Sequence, residues 1–382
     1  MKIKGVEAMV LFAQDVGREK EPNVGGYTGY QVLVRIDTDE DISGWGEACV
    51  GSERGEAAFA LKELIERGLA PRLKGENPIE YRRIWEQLYD ATYWYGRRGL
   101  AIYALSAIDI ALVDIAGRAL GVPACQLLGG TYRKEVPVYA SLLFDMDDPE
   151  GTAKKAERYA RLGYRGVKLG WGTVPTKPFG INPKKDEEIV SLARERMGEE
   201  TWLMIDVGRY VNWSVSYAIR MGKRLEKYNI YWLEEPLSQE DLEGYAELCR
   251  ALDVPVAAGE ELYTAYDFNE IIKRRALDIL QPDVAKVGGI SEMKRVVELA
   301  RVNNFTWVPH SWSTAVNTAA SIHIVASSPD GFLLEFKQEP NPMVHDLVKR
   351  KFEIRQGKMA LPEGPGLGIE IDESVLSRLR VA

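Results

Sequence analysis

Between residues 136 and 335 the chain repeats one unit: a short, flat, apolar run followed by a helical pattern. This alternation limits the fold more than any other feature. Parallel neighbouring strands need a crossover, and a helix is the usual one. The runs 136–141, 165–169, 201–206, 230–234, 255–259, 279–282, 305–309 and 332–335 read as strands. Helical patterns at 149–162, 185–197, 214–228, 239–252, 266–275, 291–303 and 315–326 fill the gaps. Eight strands with seven helices between them make an α/β chain of the modified TIM-barrel type, (β/α)7β. Met204-Ile205 and Leu333-Leu334 suit strands buried on both faces. A length of 382 residues holds one such barrel and a smaller domain.

Three of the runs stop at an acid: Asp206, Glu234 and Glu260, spaced by 28 and 26 residues. Successive strand ends of a parallel barrel open on one face, so these carboxylates should converge. Converging carboxylates repel one another, and a hard divalent cation with oxygen ligands relieves the repulsion. Three unrelated helix N-caps are the plainer alternative, since acids favour that position. The common register behind three apolar runs favours a Mg²⁺ site.

Other strand ends carry Lys168, Asp283, His310 and Glu335. Asp283 lies one unit before His310, and a neighbouring carboxylate can fix an imidazole's tautomer. A strand-end His bonded to backbone, and a solvated Lys, are the bland readings of the same residues. His323, inside an apolar helix, reads as a satisfied imidazole, and His345 receives no function. Tyr27, Trp171 and Arg209 are candidates to line or close a pocket, though packing or surface explains each equally well.

Residues 1–130 read differently, as an α+β domain. Strands are expected at 3–13, 30–37 and 43–49, and helices at 56–67, 78–91 and 100–120. The Gly-rich, charged segment 15–29 reads as a surface loop or lid. The barrel is expected over 131–348. Residues 349–382, turn-rich with one short strand, should return to the first domain. A formal charge of −8 with no basic stretch argues against nucleic acid. No run is expected to approach the roughly 20 apolar residues of a membrane span, and no apolar leader is evident. Three scattered cysteines suit a reducing compartment, so a cytoplasmic protein is expected.

Taken in order, Gly44-Trp-Gly-Glu47-Ala, Leu203-Met-Ile-Asp206, Trp232-Leu-Glu234-Glu-Pro236, Ala258-Gly-Glu260, Gln281-Pro-Asp283, Pro309-His310-Ser, Leu334-Glu335 and Gly364-Pro-Gly-Leu-Gly368 resemble the enolase superfamily, in its mandelate racemase subgroup. The resemblance spans nearly the whole chain. It implies a capping domain over the barrel, completed by the C-terminal tail. It implies one Mg²⁺ per subunit on Asp206, Glu234 and Glu260, with Mn²⁺ as a substitute. It makes Asp283 and His310 a dyad, Lys168 a catalytic lysine, and Glu335 an acid that hydrogen-bonds the intermediate, as a neutral donor if protonated. Asp283 stands where muconate cycloisomerase-like members have lysine, and Lys286 is expected outside that role. Two departures are Gly170 in place of a second lysine, and Gly208 in place of a common Asn, which would free space for substrate.

The expected chemistry is removal of the proton α to a carboxylate, followed by loss of water from a sugar acid to give a 2-keto-3-deoxy acid. Racemisation, epimerisation or cycloisomerisation through the same enediolate is the alternative. A non-catalytic acid-binding protein is the remote one. Homo-oligomers are common in the family. Selectivity is expected in 15–29, in the segment after Glu47 and in 171–182.

Overall fold

The computed structural model describes residues 1–13, 29–51, 54–173, 176–208 and 211–382. Tyr27, Arg209 and nearly all of the 15–29 segment therefore lie outside the described residues.

Strands β1 (Ile3–Phe12), β2 (Tyr30–Thr38) and β3 (Ser43–Ala48) form an antiparallel sheet in that order. Helices α1 (Glu56–Glu63), α2 (Ala70–Leu73), α3 (Tyr81–Ala91), α4 (Leu100–Leu120) and α5 (Ala124–Leu127) follow. The single helix expected at 56–67 instead widens into a π-helical stretch, Leu64–Leu69, before α2. Pro71 offers no N–H just beyond it, and Ala70 N bonds Ile65 O five residues back.

The cap is built by close approach of β3 to α4. A Cβ at Gly46 would lie 1.8 Å from Ala107 O, and one at Gly44 2.3 Å from Ala111 O. Only glycine lets the strand lie this close to the helix backbone. α4 is buried from Ala101 through Gly117. By length and composition it could cross a membrane, with a mean hydropathy of 1.8, which corrects the expectation that no run approaches that limit. In the fold it is a core helix. Ile108 and Leu112 face the cap's apolar core, and Ile110 and Val113 join that of the barrel.

The second layer runs β4 (Glu135–Leu143), α6 (Pro149–Arg161), β5 (Gly166–Gly170), α7 (Pro183–Met197), β6 (Trp202–Asp206), α8 (Val215–Glu226), β7 (Ile230–Glu234), α9 (Leu242–Ala251), β8 (Val256–Ala258), α10 (Thr264–Arg274), β9 (Ile279–Leu280), α11 (Gly289–Val302), β10 (Thr306–Trp307), α12 (Ala315–Ala326) and β11 (Leu334–Lys337). The strands pair in parallel in the order β11-β4-β5-β6-β7-β8-β9-β10. Among the described residues no ladder joins β10 to β11. β9 and β10 are shorter than their apolar runs because Pro282 and Pro309 supply no N–H to a ladder. Side chains of Asp148, Asn182, Ser214, Asp241 and Thr314 accept backbone N–H groups at the starts of α6, α7, α8, α9 and α12.

Strand alternation then positions the site. Tyr139, Met204, Trp232, Ala257, Ile279, Val308 and Leu333 pack into one buried apolar layer inside the barrel. Two residues further along each strand, side chains point the same way. Those positions hold Ser141, Asp206, Glu234, Gly259, Gln281, His310 and Glu335. The apolar layer is a floor, and the polar residues stand on it.

After β11 come α13 (Pro342–His345), β12 (Ile354–Arg355), β13 (Lys358–Ala360) and α14 (Glu373–Leu379). The tail differs from expectation: it makes a two-stranded hairpin and a helix, and it touches both layers. β13 pairs antiparallel with the start of β4. Leu367 N donates to Asp114 of α4 at 2.8 Å, and Val381 N donates to Val10 O of β1 at 2.8 Å.

Candidate active site

Asp206 and Glu234 end neighbouring strands and sit opposite each other in register. Glu260 follows β8 after Gly259, whose φ of +133° is open to glycine. All three carboxylates are buried. Trp232 Nε1 (2.8 Å) and Gln281 Nε2 (2.9 Å) donate to Glu234 Oε2, so this carboxylate is held from below and from the side.

Lys168 enters the same space from β5 and is 3% exposed. Its ammonium lies 2.6 Å from Glu234, 3.0 Å from Glu335 and 3.2 Å from Asp206. Burial alone would lower its pKa, but Glu234 and Glu335 outweigh that and hold it well above the ordinary lysine range. His310 lies on the other side. Its Nδ1 is 2.6 Å from Asp283 Oδ2, and its Nε2 is 2.9 Å from Glu260 Oε2. Burial opposes protonation of this ring, yet Glu260 and Glu335 push its pKa well above the usual value.

Glu335 lies between these cations, and Ser311 N donates to its Oε2 at 2.7 Å. Burial would raise its pKa, but Lys168 and His310 draw it below the ordinary range. In this arrangement Glu335 accepts from Ser311 N and faces the Lys168 ammonium at 3.0 Å. Asp206 shows the opposite balance. Burial, and then the charge of Glu234, push its carboxyl well above the usual range despite Lys168.

Among the described residues no group of three Asp, Glu, His or Cys side chains already forms a metal cage. Lys168 and His310 stand among the carboxylates instead. The donor set nevertheless fits a hard divalent ion. It consists of three buried carboxylates, and Asp206 Oδ1 is buried with no hydrogen-bond partner. A buried carboxylate oxygen without a partner is costly, and a cation with oxygen ligands would supply that partner.

The other candidates fall as follows. Trp171, buried and left-handed at φ 52°, receives no open space from Gly208. A Cβ at 208 would lie 2.3 Å from the Trp171 indole nitrogen, so the expected room for substrate is filled by tryptophan. Gly170 pairs with Asp206, and a Cβ there would lie 3.0 Å from Asp206 Oδ2. His323 is buried with Nε2 3.0 Å from Leu367 O, a structural imidazole as expected.

Several residues of the site escaped the sequence reading. Lys286 is fully buried, 3.0 Å from Glu261 and 3.7 Å from Glu260, and supplies positive charge on that side. Gln281 orients Glu234. Asn317 donates to Asp283 Oδ1 at 2.8 Å. Glu47 of β3 crosses from the cap to accept from Thr314 and Asn317. Burial pushes Glu47 up to about 7 against those hydrogen bonds. Gln281 and Glu47 lie within the motifs quoted above, but nothing local marks what they touch.

Comparison with known proteins agrees with this architecture. Residues 26–129 match the model for the mandelate racemase / muconate lactonizing enzyme N-terminal domain, and residues 151–375 match that for the enolase C-terminal domain-like family. The chain is 35% identical to D-galactarolactone cycloisomerase of Agrobacterium fabrum over 92% of its own length and 91% of that protein's. It is 31% identical to arabinonate dehydratase of Saccharolobus solfataricus, covering 91% and 90%. The solved structure of 3,6-anhydro-D-galactonate cycloisomerase from Zobellia galactanivorans superposes over 100% of both chains with a TM-score of 0.88 at 29% identity. The chain therefore belongs to the enolase superfamily, in its mandelate racemase subgroup.

Proposed function

We propose that this protein is an acid-sugar dehydratase that removes the proton α to a substrate carboxylate and then expels the β hydroxyl as water, giving a 2-keto-3-deoxy acid. The observation that carries the proposal is the placing of Lys168 against Asp206, Glu234 and Glu335, and of His310 against Glu260, in one buried cluster, with His310 fixed by Asp283 at 2.6 Å. α-Proton removal needs a base, and hydroxyl loss needs an acid. Asp206, Glu234 and Glu260 would hold the divalent ion, Mg²⁺ by the habit of the superfamily, with Mn²⁺ as a substitute. When bound, that ion supplies positive charge against the enediolate and draws the carboxylates' charge away from the lysine and the imidazole.

The chain's own residues do the rest. Lys168, brought among the site carboxylates by β5, takes the α proton in its neutral amine form. The Asp283 carboxylate keeps the proton of His310 on Nδ1, leaving Nε2 to exchange a proton with the leaving hydroxyl. Glu335 accepts from Ser311 N and sets the charge between the two. The similarity to arabinonate dehydratase supports loss of water. The similarity to D-galactarolactone cycloisomerase supports a second outcome of the same chemistry. If the β oxygen belongs to a ring, its expulsion opens the ring with no loss of mass, and the reaction is an isomerisation.

The small-molecule substrate, a cytoplasmic location and a homo-oligomeric state belong to the same proposal. Screening acid sugars with Mg²⁺ for keto-acid product tests it. His310→Asn should abolish turnover and leave Mg²⁺ binding intact. Retained turnover in that variant removes His310 from the reaction.

A further inference from the structure

Asp283 Oδ2 faces His310, and its second oxygen, Oδ1, is held by two donors: Asn317 Nδ2 at 2.8 Å and Ala285 N at 2.8 Å. Each donor is in turn fastened to the cap, one to strand β3 and the other to Cys49 just after it. Glu47 Oε2 accepts from Asn317 N at 2.8 Å, and Glu47 Oε1 accepts from Thr314 N at 3.1 Å. The Thr314 hydroxyl also donates to Glu47. On the other arm, Cys49 N donates to Ala285 O at 3.3 Å. The amide of Asn317 has one sensible orientation. Ser321 Oγ donates to its Oδ1 at 3.1 Å, and the reverse orientation would set a carbonyl against the Asp283 carboxylate. Glu47, Thr314, Asn317 and Asp283 are all buried, so each bond is made in a medium where a missing partner is costly.

The geometry points to Glu47 and Asn317 as positioning residues: through them the cap strand clamps the Asp283 carboxylate, so docking of the cap sets the aim of His310. The function of the clamp rests on the reading of Asp283 and His310 as the working dyad. Residues that orient a group in direct contact with the chemistry commonly matter about tenfold to a hundredfold.

The test uses full-length protein with saturating Mg²⁺ and ¹⁵N-labelled histidine, assigned with His310→Asn. The probe is the His310 Nδ1–H resonance and ring ¹⁵N shifts at one fixed pH. In Asn317→Ala and Glu47→Gln the Nδ1–H signal should move and part of the ring should take the other tautomer. Thr314→Val, which removes only the hydroxyl arm, should move it less. Sugar-acid turnover should fall about tenfold to a hundredfold in Asn317→Ala, with KM changed less than about twofold. If Glu47→Gln does not fold, Asn317→Ala and Thr314→Val decide. A His310 spectrum unchanged in folded Asn317→Ala overturns the inference. If the wild-type protein turns over no sugar acid, the proposed function fails, and the clamp still stands or falls on the spectrum alone.

Discussion

Asp206 is expensive to keep ionised where it stands. It is buried, faces Glu234 across the strand register, and leaves Oδ1 without a partner. Asp206→Asn should therefore raise stability in EDTA by about 1 kcal/mol while losing the stabilisation that Mg²⁺ gives, as read by thermal melts with and without the ion. A second residue-scale prediction concerns His323. Burial pushes its imidazole down to about 4 from 6.5, so the unfolded chain binds a proton more readily than the folded one. Its contribution is complete above about pH 6.5 and is lost as the pH falls toward 4, up to about 3 kcal/mol. Urea midpoints at pH 7 and pH 5 should separate more in wild type than in His323→Asn. The three strand-end acids were legible because each closes an apolar run. Asn317 was not, because its partner Asp283 lies 34 residues away and no local period marks it.

At the scale of elements, β3 shows what two glycines in a strand can mean. Gly44 and Gly46 bring the strand onto the backbone of α4, and Glu47 is the next residue. Gly46→Ala would drive a methyl into Ala107 O and should cost well over about 3 kcal/mol or prevent folding, measured by urea unfolding. The alternation of runs and helices was readable almost residue by residue, since crossovers in a parallel sheet leave so few other solutions. What the sequence did not show were departures caused by single residues. Pro282 and Pro309 shorten β9 and β10, and a π-helical stretch precedes α2. The β12–β13 hairpin was missed because its strands are only two and three residues long.

The whole molecule should respond to a divalent ion as one unit, since the proposed ligands come from three successive strands that share one core. Ligand-linked stabilisation follows the logarithm of free ligand over Kd, about 2.7 kcal/mol at a hundredfold excess. Mg²⁺ should raise the melting temperature of wild type, and Glu234→Gln should respond much less, read by calorimetry.

The pairing of residues 380–382 with β1 bears on how the chain matures. Val10 exchanges backbone hydrogen bonds with Val381 and Ala382, and Leu11 pairs with Arg380. β1 is an edge of its sheet, and an open edge invites another strand. On the ribosome that edge emerges before the barrel, while the segment that covers it arrives only after the entire barrel has been made. The cap's sheet is thus sealed only once the barrel strands exist. Trimming residues 380–382 should leave the barrel's floor intact yet make the nascent and refolding protein prone to aggregate through β1.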